Sequence, residues 1–378
     1  MTDPQRFVAM RAEWNRLPGA PRSVFLTHEW FEAAWQWRAG DSSLAVIMVA
    51  RDDALIGALP LVSKLISSRS GSRRAFEALS VPDTQMFDLL AVPAEQTAVA
   101  QAIVQWLGAG AAKWDVLEIG YLPVKSVAED YLAEALRAQG YSVGIEEAGS
   151  NPYIDLSAAW DAYYSTRTRS LKKANNLAAN RLRKTGEVKI RHHTKSAESP
   201  ADLMQRLVPL LADISGRSWK RDTGNSLDHP GPNAFIRRLT ELSVERGWLS
   251  AWTLTLDDKA LAMEYQLVFD GSVHALRADF DSAFSDISPG SHLFRVLLEE
   301  LFQADLRRYY MGPGENAYKL RWTESAEPLR RMRAYSRSPS GRLAAVMDLH
   351  MLPYARAVRD RLSLKNRAGS KPDAILEK

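Results

Sequence analysis

Apolar residues along this chain follow two rhythms, one of every second position and one of every third or fourth. Ser43–Ala50 is apolar and β-branched enough for a strand, Asp52-Asp53 turns it, and Leu55–Ser63 returns. Thr97–Leu107 has helical spacing through Val99, Ile103, Val104 and Leu107. Trp114–Ile119 reads as a short buried strand closed by Gly120, and Glu129–Gln139 as a helix stopped by Gly140. The same order then returns. Leu249–Leu256 is a strand, Asp257-Asp258 turns it, and Ala260–Phe269 comes back. Asp270-Gly271 is a two-residue hairpin signal whose central positions need positive φ, and Val273–Asp279 follows as a third strand. Ser291–Ala304 is an amphipathic helix with Leu293, Phe294, Leu297, Leu298 and Leu301 inward, and Leu306–Met311 is a strand closed by Gly312.

The repeated order predicts an α/β (α+β) protein of two duplicated domains, each a mostly antiparallel mixed sheet flanked by helices. A coincidence of common elements is the plain alternative, because identity between the halves is low. The expected division is 1–150, 151–340, and a C-terminal helix with a flexible tail at 341–378. A long helical segment, 157–185, links the halves. Ser157 is its expected N-cap and Gly186 its expected C′ residue. Trp160, Tyr164, Leu171, Ala178 and Leu182 share one side of it; Arg169, Lys172, Lys173, Asn176 and Asn180 share the other.

Length and composition agree. The 378 residues suffice for two domains, and 46% hydrophobic with 25% charged residues is ordinary for a globular chain. The absence of Cys excludes disulfides, Cys nucleophiles and thiolate metal sites. The first residues hold no apolar signal region, and the longest apolar stretches fall far short of the ~20 residues of a membrane span. These features point to a soluble, cytoplasmic protein. The net charge is only +4, but it is clustered. One basic run reaches from Arg167 to Arg191 with Glu187 as its single acid, and a second holds Arg330, Arg331, Arg333, Arg337 and Arg342. Such runs suit a polyanion, whether phosphate, nucleotide, nucleic acid or an anionic lipid surface; a solvated helix face is the alternative.

Two stretches carry candidate chemistry. Ile287-Ser288-Pro289-Gly290-Ser291-His292 leads a strand through a Pro-Gly turn into a helix. Free N–H groups at a helix start, with a glycine that admits close approach, form a phosphate cradle; many ligand-free helices also start this way. Met311-Gly312-Pro313-Gly314 precedes Glu315, Tyr318, Lys319 and Trp322. Tyr318 is a candidate proton donor and Lys319 a candidate cation for phosphate or an oxyanion. A sheet-edge turn with a solvated Lys319 fits the same letters. Glu264, Asp279 and Asp281 are candidate bases, and 279 and 281 would share a strand face. No metal-ligand spacing, Walker loop, dinucleotide fingerprint or nucleophile elbow is present.

Together these residues resemble the double-GNAT acyltransferases of the CelD type, which are related to the FemAB peptidyltransferases. The resemblance runs roughly from Trp14 to Tyr335. It rests on Leu59-Pro60-Leu61, Trp114-Asp115, Arg169 with Leu171-Lys172-Lys173, Arg181-Leu182, Trp219, Asp281 with Ser288-Pro289-Gly290, and Gly312-Pro313-Gly314-Glu315 with Tyr318-Lys319 and Trp322. It implies tandem GNAT-like domains, with acyl-CoA held in the second at Ile287–His292. Ala91-Val92-Pro93-Ala94-Glu95, at the equivalent place in the first, has no glycine and would shape an acceptor cleft instead. On this reading the acceptor is an amine or hydroxyl of a sugar or envelope precursor. Glu264 or Asp281 is its base, and Tyr318 or Lys319 attends the leaving group. Arg169, Lys172, Lys173, Trp219 and Glu315 bind substrate. Fem-type relatives use aminoacyl-tRNA, which makes a tRNA donor the second reading and an inactive scaffold in exopolysaccharide assembly the third.

Overall fold

The structure is a computed structural model and describes residues 1–17, 23–68, 71–110 and 113–351. Its strands are β1 Ser43–Leu44, β2 Ile47–Arg51, β3 Ala54–Leu59, β4 Leu61–Ser68, β5 Gly71–Ala78, β6 Leu90–Ala91 and β7 Val116–Pro123. They continue as β8 Ser142–Asp155, β9 Val188–His193, β10 Leu249–Leu256, β11 Lys259–Phe269, β12 Ser272–Phe280, β13 Arg308–Tyr310 and β14 Ala326–Tyr335. Among the described residues, eleven strands form one sheet ordered β1-β4-β5-β7-β14-β8-β13-β12-β11-β10-β9, and β2-β3-β6 form a second. The fold class read from the sequence therefore holds: α/β, with a large, mostly antiparallel sheet flanked by helices.

The halves repeat one pairing scheme. β4 lies antiparallel to β5 and β5 parallel to β7; β11 lies antiparallel to β12 and β12 parallel to β13. The last strand of each half then crosses over. β8 pairs with β13 of the second half, and β14 pairs with β7 of the first as well as with β8. The expected boundary at residue 150 falls inside β8.

In the second half both faces of the sheet are covered. One face packs against Leu207, Leu211, Phe235 and Leu239, and the other against Leu171, Leu182, Leu293 and Leu297. β11 is consequently buried almost throughout rather than alternating between buried and exposed positions. The Asp-Asp turns are as the sequence implies: Asp52, Asp53, Asp257 and Asp258 all have positive φ, as do Asp270 and Gly271.

Several local expectations need correction. The strand read at 43–50 is two, because Val46 leaves β1 to donate to the Met1 carbonyl at 2.9 Å. Gly120 closes nothing, since β7 continues to Pro123. The linking segment is two helices, Trp160–Ser165 and Arg169–Thr185, and Thr168 caps the second by accepting from the Leu171 N–H at 3.2 Å. Ser157 caps neither, because its N–H and hydroxyl both donate to Asp155 Oδ1. Gly186 is extended rather than left-handed; an added Cβ would lie 2.1 Å from Asp257 Oδ2. Its glycine serves a close approach. The β14 part of the second basic run, Arg330, Arg331 and Arg333, is not a free polyanion site. Arg330 pairs with Glu129, and Arg331 and Arg333 pair with Glu118 and Glu146 on neighbouring strands. At the C-terminus a helix covers Pro339–Val346; the expected tail, after Leu364, lies outside the described residues.

Candidate active site

β12 and β13 are hydrogen-bonded neighbours at only three residue pairs, the last being His274 with Tyr310. β12 then runs on to Phe280, while the chain after Tyr310 turns away through Gly312 and Gly314. The two strands part like a wedge and open a cavity of about 680 Å3. Asp83 and Gln85 of the first half close one side, with Trp219, Lys220, Glu264, Gly290 and Tyr318 among the other walls. A bulge shapes this wall. Tyr265 faces Arg277 and Gln266 faces Ala275, so Leu276 is left without a partner on β11.

Glu264 sits on β11 opposite Ala278 and is 2% exposed. Its Oε1 accepts from the Tyr309 hydroxyl and, at 2.7 Å, from Gln266 Nε2. Burial pushes its carboxyl up to about 7, against the hydrogen bonds of Tyr309 and Gln266 and the charge of Lys220. A carboxyl poised near neutrality suits a general base. Tyr309 is driven the other way from ionisation, its phenol held well above the usual value by burial and the Glu264 charge.

Asp279 and Asp281, read as a same-face pair, are separated by the structure. Asp279 is a cleft residue, pinned by Lys220 at 2.6 Å and Ser215 at 2.8 Å. Asp281 lies beyond the end of β12, outside the cleft lining. It caps the turn after it by accepting from the Ala283 N–H and pairs with Arg217 and Lys259. Burial alone would raise its carboxyl, but the Ala283 amide and Arg217 hold it below the usual range. Its expected role as base is therefore withdrawn: it is a satisfied cap.

Of the expected cradle, Gly290 and Ser291 reach the cleft wall, while Ile287, Ser288, Pro289 and His292 stand behind it. Helix Pro289–Leu301 starts from Ser288 in a left-handed conformation. A Cβ on Gly290 would come within 3.2 Å of the Phe280 ring. The His292 imidazole is lowered by burial and by Arg295 and Arg183, so it stays neutral.

Tyr318 stands at the mouth. Desolvation, then the charges of Glu264 and Tyr163, hold its phenol well above the usual value, which keeps its proton in place. Lys319 lines the cleft, but its ammonium is engaged by three carbonyls: Gly312 at 2.6 Å, and Pro313 and Gly314 at 3.0 Å. It ties down the turn and offers no spare donor to an oxyanion, contrary to the sequence reading. Burial and the nearby charge of Lys220 draw it down to about 8. Trp219 flanks the opening and is 63% exposed. Arg169, Lys172, Lys173 and Glu315 lie outside the cleft lining; Glu315 accepts from Ser150 at 2.7 Å.

Sequence reasoning missed Lys220, Tyr309, Gln85 and the Asp83–Arg277 pair. Arg277 donates to Asp83 Oδ2 at 2.9 and 2.6 Å and joins the two halves across the cleft. Gln85 makes a second link, donating to the Ala275 carbonyl at 2.7 Å. Only Lys220 carried a signal, as the neighbour of Trp219. Among the described residues no group of three or more His, Asp or Glu could hold a metal ion.

The acetyltransferase (GNAT) domain family Acetyltransf_6 matches residues 169–320. Three solved structures share the architecture. FemX is 12% identical with a TM-score of 0.54, over 91% of this chain and 99% of its own. The C-terminal domain of a putative lysylphosphatidylglycerol synthetase from Agrobacterium fabrum is 13% identical at 0.53, over 91% and 97%. L-PGS from Bacillus licheniformis is 13% identical at 0.52, over 92% and 95%. No curated protein matches the sequence. Residues 169–320 thus match a GNAT-type acetyltransferase domain, and that segment supplies the parted strands, Glu264, Lys220 and the helix start at Gly290.

Proposed function

We propose that the protein is an acyltransferase that moves an acyl group from acyl-CoA to an amine or hydroxyl of a sugar or cell-envelope precursor. The observation that carries this reading is Glu264: a buried carboxyl near neutrality, on the floor of the wedge between β12 and β13. The helix start fits the donor. Pro289 has no N–H, and those of Gly290 and Ser291 lie in the first turn, where a helix has unpaired donors and positive dipole charge.

Glu264 takes the proton of the attacking amine or hydroxyl as the bond to the acyl carbon forms. Lys220, which lines the cleft, adds positive charge beside the acyl carbonyl oxygen. Tyr318 protonates the sulfur as the carbon–sulfur bond breaks. Lys319 keeps the 312–314 turn in place for this geometry.

The test is thermal stabilisation by acetyl-CoA, longer acyl-CoAs, CoA and deacylated tRNA. A ligand at ~100 times its Kd adds about 2.7 kcal/mol. A raised midpoint with CoA thioesters, lost in Gly290→Glu, supports the reading. A shift with tRNA alone replaces the donor by aminoacyl-tRNA. No shift with either makes a non-catalytic scaffold the better account.

A further inference from the structure

Helix Arg169–Thr185 has an unusual charge balance for its position. It carries Arg169, Lys172, Lys173, Arg181, Arg183 and Lys184, and no acid in seventeen residues. None of the six forms an ion pair among the described residues. The contrast with the other basic run is direct, since there Arg330, Arg331 and Arg333 are each met by a glutamate. At about 100° per residue, Arg169, Lys173, Asn176, Asn180, Arg183 and Lys184 fall on one face. Leu171, Ala178 and Leu182 fall opposite and are buried, Leu171 and Leu182 in one core with helix Pro289–Leu301 and the sheet. Like charges at this spacing repel. The fold retains that repulsion on a face that is exposed among the described residues.

The face also has a fixed place beside the cleft. At its N-terminal end, Arg167 and Tyr163 both donate to the Trp322 carbonyl, just after the short helix Ala317–Leu320 that carries Tyr318. At the other end, Arg181 donates to the Asp286 carbonyl at 2.6 Å, just before helix Pro289–Leu301. Exposed at the same opening are Trp219 and Tyr318, the latter at 39%, and Leu320, at 51%, ends the short helix that carries Tyr318. Leu177, at 45%, borders the basic face itself.

We infer that the basic face of helix Arg169–Thr185 and the apolar rim of the cleft dock the protein on an anionic lipid bilayer, with the cleft mouth toward the surface. Charge complementarity supplies the attraction, about fivefold in partitioning for each cation near the surface. Leu177 and Leu320 decide between lipid and nucleic acid. Leucine neither stacks on bases nor bonds to phosphate, but it partitions into the boundary between headgroups and acyl chains, as Trp and Tyr do. A bilayer therefore uses the exposed leucines as well as the cations, and a nucleic acid only the cations and the aromatic rings. The inference stands apart from the proposed reaction, because docking requires no acyl donor.

The experiment is co-sedimentation of the full chain with phosphatidylcholine vesicles, with and without about a third phosphatidylglycerol. The wild type is expected to pellet with the anionic vesicles only, and to be released by about 0.5 M salt. Arg169→Glu/Lys173→Glu is expected to lower partitioning more than tenfold, and Leu177→Ser severalfold at unchanged charge. Arg206→Glu, an exposed reversal elsewhere, is expected to leave it unchanged. Circular dichroism and melting of each variant separate lost docking from lost folding. Wild-type protein that stays in the supernatant overturns the inference. So does equal pelleting with neutral vesicles, or an Arg169→Glu/Lys173→Glu variant that pellets like the wild type. Binding of deacylated tRNA without vesicle binding also overturns it and assigns the face to nucleic acid.

Discussion

Lys220 Nζ stands 2.6 Å from Asp279 Oδ1, and that carboxylate is wholly buried. Ser215 holds its other oxygen, so the pair is fixed from both sides. Lys220→Met would leave the buried Asp279 carboxyl without its ion-pair partner, a loss that costs about 3–5 kcal/mol. The single variant should show a clearly lower urea midpoint. Lys220→Met/Asp279→Leu should recover most of it, because the charge that needs a partner is gone. A double variant as unstable as the single would locate the cost in packing rather than in the pair.

Glu264→Gln should slow transfer by about 10²–10⁴-fold, the usual contribution of a positioned base. Its effect on stability has the opposite sign. In the fold the carboxyl keeps its proton up to about pH 7, whereas the unfolded chain releases it near 4.5. Between those values the native state binds more protons, so stability falls as pH rises, and the penalty is full above 7. Its size is roughly 3 kcal/mol. Gln carries none of it and still accepts from Tyr309. Urea unfolding should find the variant more stable than wild type at about pH 8 and level with it at about pH 4. Equal stability at both would mean that the carboxyl is not the group being desolvated.

Gly186→Ala should destabilise the protein by about 1–3 kcal/mol, because a methyl there meets the Asp257 carboxylate that accepts from the Glu187 N–H at 2.8 Å. Asp257→Ala/Gly186→Ala should show a smaller additional loss than the two separate changes predict. Strict additivity in the melting data would rule out the clash.

Gly186 also marks the limit of what the sequence reveals. Its position at a helix end was legible, but not the reason for it, since Asp257 lies seventy-one residues away. Strands with strong local signals were read closely: Leu249–Leu256 and the Asp257-Asp258 and Asp270-Gly271 turns stand as expected. β8 was invisible, because most of its first nine residues are exposed or half-buried and include Gly, Ser and Glu. β14 read as a free basic run because its acids, Glu118, Glu129 and Glu146, come from elsewhere in the chain. The site divides in the same way. Glu264, Gly290 and Tyr318 lie in or beside recognisable patterns, whereas Asp83 and Arg277 meet only when the halves do.

Lys319 gives the sharpest test of the cleft. Its three protons meet three carbonyls of one turn, and Gly312 and Pro313 of that turn line the cavity. Lys319→Met should lower kcat by about 10- to 100-fold through misplacement of the wall, with acyl-CoA stabilisation retained. Lys319→Arg should not rescue it, because a planar guanidinium cannot converge on three carbonyls as an ammonium does. The pH dependence adds a readout. Burial brings the ammonium down to about 8 in the fold, against 10.5 for the free group. The folded state thus binds fewer protons across that interval; the stability penalty is complete below 8 and relieved as pH climbs toward 10.5. Activity should move the other way, falling above about 8 as the amine loses one of its three donors. That alkaline limb should vanish in Lys319→Met. A limb that persists in the variant would assign it to another group and leave Lys319 as a fastening alone.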